Sequence, residues 1–433
     1  MKNKIKFLFL LVFVYSCSLD TKSGFWSKTE KINNNEKIKK LFVEKEVLEK
    51  EFNANIKINI KKINLNNTFL NNTSNNNGNV NYSGSLKKIS KYKFKKIDNF
   101  KDLRPELSFT ENHSVIFYNN KGDIIKFDEN SNLEWKVNIY SKKEIKLKPT
   151  LTFANNGEFL IVVDNLGKFY AINLNNGTLI WSKKNDAPFN SQVKILKDKF
   201  FVVDYTDTLK CFSVKNGNEI WKSTSETSLI KSKDRLSLVI NKNIIIYQNS
   251  LGDVVAANIS NGDLIWQTPT EKNILNQNNF TIKNSDLVLE NNSVYFSNNQ
   301  NNFYSIDINN GLINWKQSIN SNLRPTIIEN LVFTISLEGY LFVLDARNGN
   351  ILRITNILNQ IKHSKRKNII PIGFILANNK IYLSLKDGKI ILVDIINGKS
   401  INIIKVANSK ISRPHVLNEY MYLIKDNGII KIN

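Results

Sequence analysis

Short hydrophobic runs alternate with turn residues along most of the chain. Phe159–Asp164 (FLIVVD) is rich in the β-branched and aromatic residues that favour strands. Residues 168–174 follow with apolar side chains on both faces, as in a strand that is buried on both sides. Asn176-Gly177 then accepts the positive φ that a tight hairpin turn needs. This pattern predicts short strands joined by hairpins.

One frame repeats from about residue 100 onward. Gly167 is followed by a strand, by Gly177 ten residues later and by Trp181, and the same spacing recurs from Gly252 to Trp266. The Trp position is occupied in turn by Trp135, Trp181, Trp221, Trp266, Trp315, Arg353 and Asn402, at steps of 38 to 49 residues. Units of this length with four predicted strands each are typical of propeller blades.

The copies number eight, and the eighth lacks one strand because the chain ends at Asn433. An incomplete blade would leave backbone groups unpaired at its edge. The segment Ser83–Phe94 is the only suitable β-like stretch before the first blade, so we expect it to pair beside Gly428–Asn433. The predicted fold is therefore an all-β, eight-bladed propeller of four-stranded blades, closed by an N-terminal strand.

The N-terminus has the pattern of an export signal. Lysines at positions 2, 4 and 6 precede the apolar run Phe7–Tyr15, whose nine residues are too few to span a bilayer. Cys17 then follows Val-Tyr-Ser, a sequence similar to a bacterial lipobox. We predict a signal peptide over residues 1–16, a lipidated N-terminus with a mostly flexible, Asn-rich tether over 17–82, and the propeller over 83–433. A cleavable signal followed by a chance Cys is the alternative.

Composition narrows the function classes. The net charge is +23, but Lys, Asn and Ile are all enriched, which indicates a coding bias rather than a nucleic-acid partner, and we predict none. Two Cys exclude a disulfide scaffold, and three widely spaced His leave little for a zinc site. Cys211 stands at the small-residue position of the repeat, so it is predicted to be buried and structural.

The repeat closely resembles the quinoprotein-like (PQQ-type) propeller repeat, whose Asp position is kept at Asp128, Asp307, Asp345 and Asp394. Together with the lipobox and the closing strand, it resembles the BamB-like family of outer-membrane assembly lipoproteins. That resemblance implies a scaffold without enzymatic activity or cofactor, lipid-anchored on the periplasmic face of the outer membrane, which binds the periplasmic domains of a BamA-like protein. The alternatives are a PQQ- and calcium-dependent quinoprotein dehydrogenase, and a periplasmic propeller that binds glycan or another ligand.

The resemblance also suggests a partner-binding patch on two loops, those that enter the fourth and fifth blades. The first loop contains Ser228, Leu229, Ile230 and Lys231, and the second contains Asp286. The competing interpretation is that both are variable, solvated loops.

A further set of basic residues precedes inner strands at or near a Pro. Arg104, Arg324 and Arg413 each stand directly before a Pro, as does Lys148. Equivalent strand ends meet at one mouth of a propeller channel, so we expect these four residues to gather there as a basic ring that attracts an acidic loop or an anion. Simple exposure at strand starts is the alternative.

Overall fold

The computed structural model describes residues 50–61, 72–226, 234–270 and 283–433. Their strands form eight sheets arranged as the blades of a β-propeller, which confirms the predicted fold. Within each blade the strands follow one another as antiparallel neighbours in chain order. This order follows from the hairpin turns, since each turn returns the chain beside the strand that it has just left.

The first four blades begin after a closing strand, β2, and an inner strand, β1. The bounds are β1 Asn79–Val80 and β2 Lys88–Lys93; blade 1, β3 Ser108–Phe109, β4 Val115–Tyr118, β5 Ile124–Phe127, β6 Leu133–Val137; blade 2, β7 Leu151–Asn155, β8 Phe159–Asp164, β9 Lys168–Asn173, β10 Leu179–Lys184; blade 3, β11 Lys194–Leu196, β12 Lys199–Val203, β13 Thr208–Ser213, β14 Glu219–Thr224; blade 4, β15 Leu238–Asn241, β16 Ile244–Gln248, β17 Val254–Asn258, β18 Leu264–Thr268.

The last four blades continue the pattern, and two short helices interrupt it. The bounds are blade 5, β19 Val288–Glu290, β20 Ser293–Asn298, β21 Asn302–Asp307, β22 Ile313–Gln317; blade 6, β23 Thr326–Ile328, β24 Leu331–Ile335, β25 Tyr340–Asp345, β26 Ile351–Asn356; blade 7, β27 Pro371–Ala377, β28 Lys380–Leu385, β29 Lys389–Asp394, β30 Ser400–Lys405; blade 8, β31 His415–Leu417, β32 Tyr420–Lys425, β33 Gly428–Ile432; and helices α1 Lys142–Lys146 and α2 His363–Arg366.

The eighth blade is completed by the N-terminal strand, as the sequence predicts. β2 pairs antiparallel with β33, with Lys88 opposite Ile432 and Lys93 opposite Gly428. Tyr92 on β2 is fully buried and packs edge-on against Phe127 of blade 1, with ring centroids 5.3 Å apart. The closing strand therefore satisfies an open sheet edge and also joins the last blade to the first.

The repeated Trp links each blade to the next. Trp135 Nε1 donates to the carbonyl oxygen of Leu174 at 3.1 Å, and its ring lies against Gly177, where an added Cβ would stand 2.9 Å from the indole. Gly177 has a φ of +75°, which glycine adopts without strain. The second Gly of the frame is thus required twice, for the turn and for the close approach of the neighbouring Trp.

Blade 6 has Arg353 in place of the Trp, and its side chain is fully buried. The guanidinium donates to the carbonyl oxygens of Ile395 and Ile396 in blade 7, both at 2.6 Å. It therefore makes two hydrogen bonds to the next blade, where a Trp of the repeat makes one. It also donates to the carbonyl oxygen of Ile56 at 2.9 Å, which lies before the propeller in sequence. Burial lowers the pKa of Arg353 to about 10. Arg353 therefore ties residues 50–61 to the body.

Residues 72–82 differ from the predicted flexible tether and form what we call the channel plug. Asn75, Asn77 and Asn79 are buried, and β1 pairs in parallel with β27, the inner strand of blade 7. Backbone amides of the inner strands donate to the plug, from Ile240 to Thr73 O and from Leu289 to Ser74 O, both at 2.9 Å. The linker interpretation is wrong for this stretch because inner strands supply partners that a polar composition does not reveal.

The cores lie between neighbouring blades. One cluster combines Phe109 and Phe117 of blade 1 with Leu160 and Val162 of blade 2, and all four side chains are buried. Cys211 is fully buried, as predicted, and burial raises the pKa of its thiol to about 12. Within the described ranges, no helix has both the length and the apolar character to cross a membrane.

Candidate binding site at the charged channel mouth

The inner strands of the blades all begin at one end of the central channel, and charged residues stand just before them. Arg104, Arg235, Arg324 and Arg413 precede the inner strands of blades 1, 4, 6 and 8. All four line one cavity of about 850 Å³ at this mouth. With Glu106 and Asp286, which line the same cavity, they form what we call the mouth cluster.

Arg324 is the centre of the ion pairs in the mouth cluster. Its Nε donates to Asp286 Oδ2 at 2.8 Å, and its Nη2 contacts both Asp286 and Glu106. Arg235 lies on the other side of the same two carboxylates, with Nη1 3.2 Å from Glu106 Oε2 and Nη2 3.7 Å from Asp286 Oδ1. Each carboxylate is therefore shared by two guanidinium groups.

The pKa values of these groups follow from that sharing. Burial opposes ionisation of Asp286, but the guanidinium groups of Arg324 and Arg235 outweigh it and lower the pKa of the carboxyl. The same balance, with Arg235 and Arg324 as the strongest charges, holds the pKa of Glu106 well below its usual range. For Arg324, burial is outweighed by Asp286 and Glu106, which raise its pKa. The two carboxylates and Arg324 are therefore ionised at neutral pH.

Arg104 has partners of its own at the same mouth. Its Nη1 donates to the carbonyl oxygen of Asn284 at 2.8 Å, and its Nη2 lies 3.5 Å from Asp234 Oδ2. Asp234 is the last residue before Arg235, so the loop that enters blade 4 reaches the mouth with one acidic and one basic side chain in succession.

Arg413 differs from the other three arginines. Its Nε and Nη1 atoms are buried and have no hydrogen-bond partner in the described parts of the chain. Burial, followed by repulsion from Arg324, lowers its pKa to about 9. Two residues later, His415 is buried beside Phe109, and burial together with Arg413 lowers its pKa to about 3. The imidazole of His415 therefore stays neutral at pH 6.5, where a free histidine side chain is half protonated.

The opposite end of the channel holds the plug in an amide network. Asn75 Nδ2 is within hydrogen-bond distance of Gln192 Oε1, Ser237 Oγ, Leu238 O and Leu287 O, at 2.9 to 3.2 Å. Lys194 Nζ donates to Asn75 Oδ1 at 2.6 Å and to the carbonyl oxygen of Asn72 at 2.5 Å. Burial lowers the pKa of Lys194 to about 7. Neutral amides and one lysine therefore close this end.

The predicted basic ring is assembled in part. Arg104, Arg324 and Arg413 share the mouth cavity, whereas Lys148 lies outside its lining and pairs with Asp98 on the surface at 2.9 Å. The three arginines are also interleaved with carboxylates, so the mouth is a charged network and not a ring of one sign. Binding of an anion there stays a prediction.

The predicted partner patch is described only in part. Asp286 belongs to the mouth cluster and is paired with two arginines. Four residues of the predicted patch, Ser228, Leu229, Ile230 and Lys231, lie outside the described residues, as does the predicted lipidation site Cys17. The sequence analysis missed Glu106 and Arg235. Glu106 directly follows the pair Arg104-Pro105, while Arg235 precedes Leu236 and so lacks the Pro that follows the other three arginines.

The described ranges contain no group of three or more His, Cys, Asp or Glu side chains placed to hold a metal ion. Calcium takes six to eight oxygen ligands. Glu106 and Asp286 each lie between two guanidinium groups, and these cationic surroundings do not fit a further cation.

The fold and the repeat define this protein as a PQQ-type eight-bladed propeller. The sequence family described as outer membrane protein assembly factor BamB matches residues 109–355, which is more than half of the chain. The chain belongs to this family. The match covers blades 1 to 6, so the channel plug, Arg104 and Arg413 lie outside it.

Two curated relatives are named outer membrane protein assembly factor BamB. The protein from Legionella pneumophila is 26% identical over 175 residues, covering 37% of this chain and 42% of the relative. The protein from Taylorella asinigenitalis is 23% identical over 234 residues, covering 51% of this chain and 47% of the relative. The aligned part is thus less than half the length of either relative.

Solved structures share the fold at low identity. BamB from Moraxella catarrhalis matches with a TM-score of 0.65 and 14% identity, covering 80% of this chain and 99% of that one. A quinohemoprotein alcohol dehydrogenase from Pseudomonas putida HK5 matches with a TM-score of 0.55 and 11% identity, covering 81% and 76%. These likenesses concern the propeller architecture alone.

Proposed function

We propose that this chain is a non-enzymatic scaffold of the outer-membrane β-barrel assembly machinery, which binds the periplasmic domains of a BamA-like protein and aids the insertion of outer-membrane proteins. Family membership, together with a complete propeller closed by its own N-terminal strand, carries the proposal. We further propose that Cys17 carries a lipid that holds the chain on the periplasmic face of the outer membrane.

The partner surface that we propose surrounds the entry to blade 4. The loop with Leu229 and Ile230 lies between Glu226 and Asp234, and Asp234 lines the mouth cavity. An apolar side chain at the centre of an interface often contributes much of the binding energy, and charged neighbours speed encounter and fix orientation. This arrangement supports a partner contact at the mouth.

The quinoprotein alternative rests on the shared repeat and on the fold of the alcohol dehydrogenase. Against it stand the two mouth carboxylates, which are taken up by arginines instead of converging as calcium ligands. The channel plug also fills the far end of the channel with Asn75 and Asn77.

The test is direct binding between the purified chain and the purified periplasmic domains of the BamA-like protein of the same bacterium. We expect Leu229→Asp to weaken binding at least tenfold, because a charge would be buried in the interface. Leu264→Asp is the matched control, since Leu264 is 60% exposed on the outer strand of blade 4. No binding by the unaltered chain would refute the proposed function, and equal affinity of the two variants would refute the patch.

Anchoring is tested separately by fractionating the cell envelope. We expect Cys17→Ala to move the chain from the outer-membrane fraction to the soluble periplasm, because a diacylglycerol and an acyl chain together anchor firmly. Retention of the variant in the outer membrane would contradict lipidation at Cys17.

A further inference from the structure

We propose that the mouth cavity binds a carboxylate carried on an apolar peptide segment, with the guanidinium group of Arg413 as the partner of the carboxylate. This site goes beyond the scaffold role proposed above, and its test uses no BamA-like partner. It rests on the charges, the buried donors and the apolar wall of the cavity, and on the closure of the channel behind it.

The charges at the mouth leave one guanidinium group over. Glu106 and Asp286 are shared by Arg235 and Arg324, and Asp234 is the carboxylate beside Arg104. Arg413 has no ion pair in the described ranges, and its Nε and Nη1 atoms are buried without a hydrogen-bond partner there. A buried charge without a partner is strongly unfavourable, whereas a bound carboxylate would supply the missing acceptor.

The donors of Arg413 suit a carboxylate. A guanidinium group donates two parallel hydrogen bonds to one carboxylate either through Nε and Nη2 or through Nη1 and Nη2, so each of the two donors without a partner can form such a fork together with Nη2. Eight basic and four acidic side chains line the cavity, so its surroundings favour an anion over a cation. Among the lysines, Lys410 is held by the carbonyl oxygens of Lys101 and Leu103, at 2.7 and 2.8 Å. The other three lysines of the lining, Lys101, Lys283 and Lys386, are exposed to solvent. We therefore assign Arg413, whose donors are buried, as the receptor group.

One wall of the cavity is apolar. It is formed by side chains from the loops that enter blades 6 and 7 and from their surroundings, namely Leu323, Leu337, Ile370, Ile372 and Phe374. Ile370 is 41% exposed, so part of this apolar wall is accessible to a ligand. A cavity of about 850 Å³ is also far larger than a single carboxylate needs. The ligand therefore brings an apolar body beside its charge.

In the described part of the chain, the cavity opens at the mouth, and the plug lies behind it. The plug closes the far end of the channel, where Asn75 and Asn77 are buried among the inner strands. A second, smaller space is lined by Asn75 of the plug and by Glu106 and Arg324 of the mouth cluster. A peptide therefore cannot thread through the propeller, and it must insert as a loop or an end from the mouth.

The test uses the purified full chain and two capped peptides, acetyl-Leu-Glu-Leu-Phe-amide and its Gln counterpart, in isothermal titration calorimetry. We expect the Glu peptide to bind and the Gln peptide to bind at least tenfold more weakly. Methyl NMR of the isoleucines should show shifts for Ile370 and Ile372. Equal affinity for both peptides would overturn the assignment of a carboxylate.

Variants of the receptor group locate the site. Arg413→Gln should reduce affinity for the Glu peptide at least tenfold, and Arg413→Lys should reduce it less because the charge is kept but the fork is lost. Arg347→Gln, on the blade 6 rim where the side chain is 71% exposed, is the control and should bind like the unaltered chain. A melting temperature for Arg413→Gln at or above that of the unaltered chain verifies folding. If Arg413→Gln binds normally, the proposal is wrong.

A third arm uses inorganic phosphate, which has the charge without the apolar body. We expect phosphate to compete with the Glu peptide only at concentrations at least tenfold higher than the peptide requires. Binding of phosphate as tight as that of the peptide would overturn the apolar half of the proposal.

Discussion

The two ends of the propeller channel are built from opposite kinds of chemistry. At the plugged end, neutral amides dominate, and Asn75 alone contacts four acceptors and one ammonium group. At the mouth, guanidinium and carboxylate groups are paired, and the guanidinium of Arg413 is left without a partner in the described chain. A satisfied polar network stabilises a closed structure, whereas a buried charge without a partner indicates a place for a ligand.

The largest effect is expected from breaking the paired part of the mouth. Asp286→Ala leaves Arg324 and Arg235 with one carboxylate fewer in a buried setting, so it should lower the free energy of unfolding by about 3–5 kcal/mol. The control is Asp387→Ala, because Asp387 and its partner Lys389 are both largely exposed, and its effect should stay below about 1 kcal/mol. Urea denaturation measures both. Equal effects would mean that the mouth cluster is no more than a surface network.

The second-largest effect is expected from a change in the channel plug. Asn75→Ala removes the acceptor of Lys194 and the donor shared by four oxygens, so we expect a loss of about 3 kcal/mol. Asn291→Ala is matched, since Asn291 is exposed and has a similar positive φ, 51° against 60° for Asn75. Hydrogen exchange adds a local measure, because the Ile240 and Leu289 amides donate to Thr73 and Ser74. Unchanged protection of these amides in Asn75→Ala would contradict a plug held by this side chain.

The third effect is the pH dependence of stability that His415 causes beside the mouth cluster. His415 stays neutral when folded, with its pKa lowered to about 3 by burial and by Arg413, against an ordinary value of 6.5. The unfolded chain takes up a proton below pH 6.5 and the folded chain does not, so stability present above pH 6.5 is lost as the pH falls towards 3. From pH 7 to pH 5 this group should remove about 2 kcal/mol.

His415→Gln isolates that contribution, because its free energy of unfolding should fall less between pH 7 and pH 5 than that of the unaltered chain. The other charges facing His415 are Arg413, Glu106 and Arg324, and they are unchanged in the variant. His363→Gln, in the exposed helix α2, should retain the full pH dependence. Parallel curves for His415→Gln and the unaltered chain would show that the imidazole is accessible to protons in the folded state.

The smallest effect has the opposite sign. Arg413→Met removes a buried cation that lacks a partner, so we expect the free energy of unfolding to rise by about 1 kcal/mol. Arg347→Met on the exposed rim should change it by less than about 0.5 kcal/mol. Marked destabilisation by Arg413→Met would mean that the folded chain already gives Arg413 an anionic partner.

Local patterns were enough to predict the blades. The turn at Gly177 needs a positive φ, the strand before it is apolar on both faces, and Trp135 and its equivalents recur at blade spacing. Because each of these signals lies within one blade or the next, the repeat predicted the architecture. The closing strand Ser83–Phe94 was predicted from the missing strand of the eighth copy. The strand starts also predicted that Arg104, Arg324 and Arg413 would share a mouth, since rotation about the axis brings equivalent ends together.

The sequence by itself therefore determined the blades, their number and the way the ring closes. Only the tertiary structure decided that residues 72–82 of the Asn-rich segment plug the channel, and which charged residues pair at the mouth. Asn75 donates a hydrogen bond to Leu287, which is 212 positions away in sequence, and Arg324 pairs with Glu106, which is 218 positions away. A composition poor in apolar residues predicts a linker, because no local pattern records that a ring of inner strands will offer polar partners. The carboxylates that pair with the mouth arginines are also far from them in sequence. For this reason the sequence does not reveal which arginine lacks a carboxylate partner.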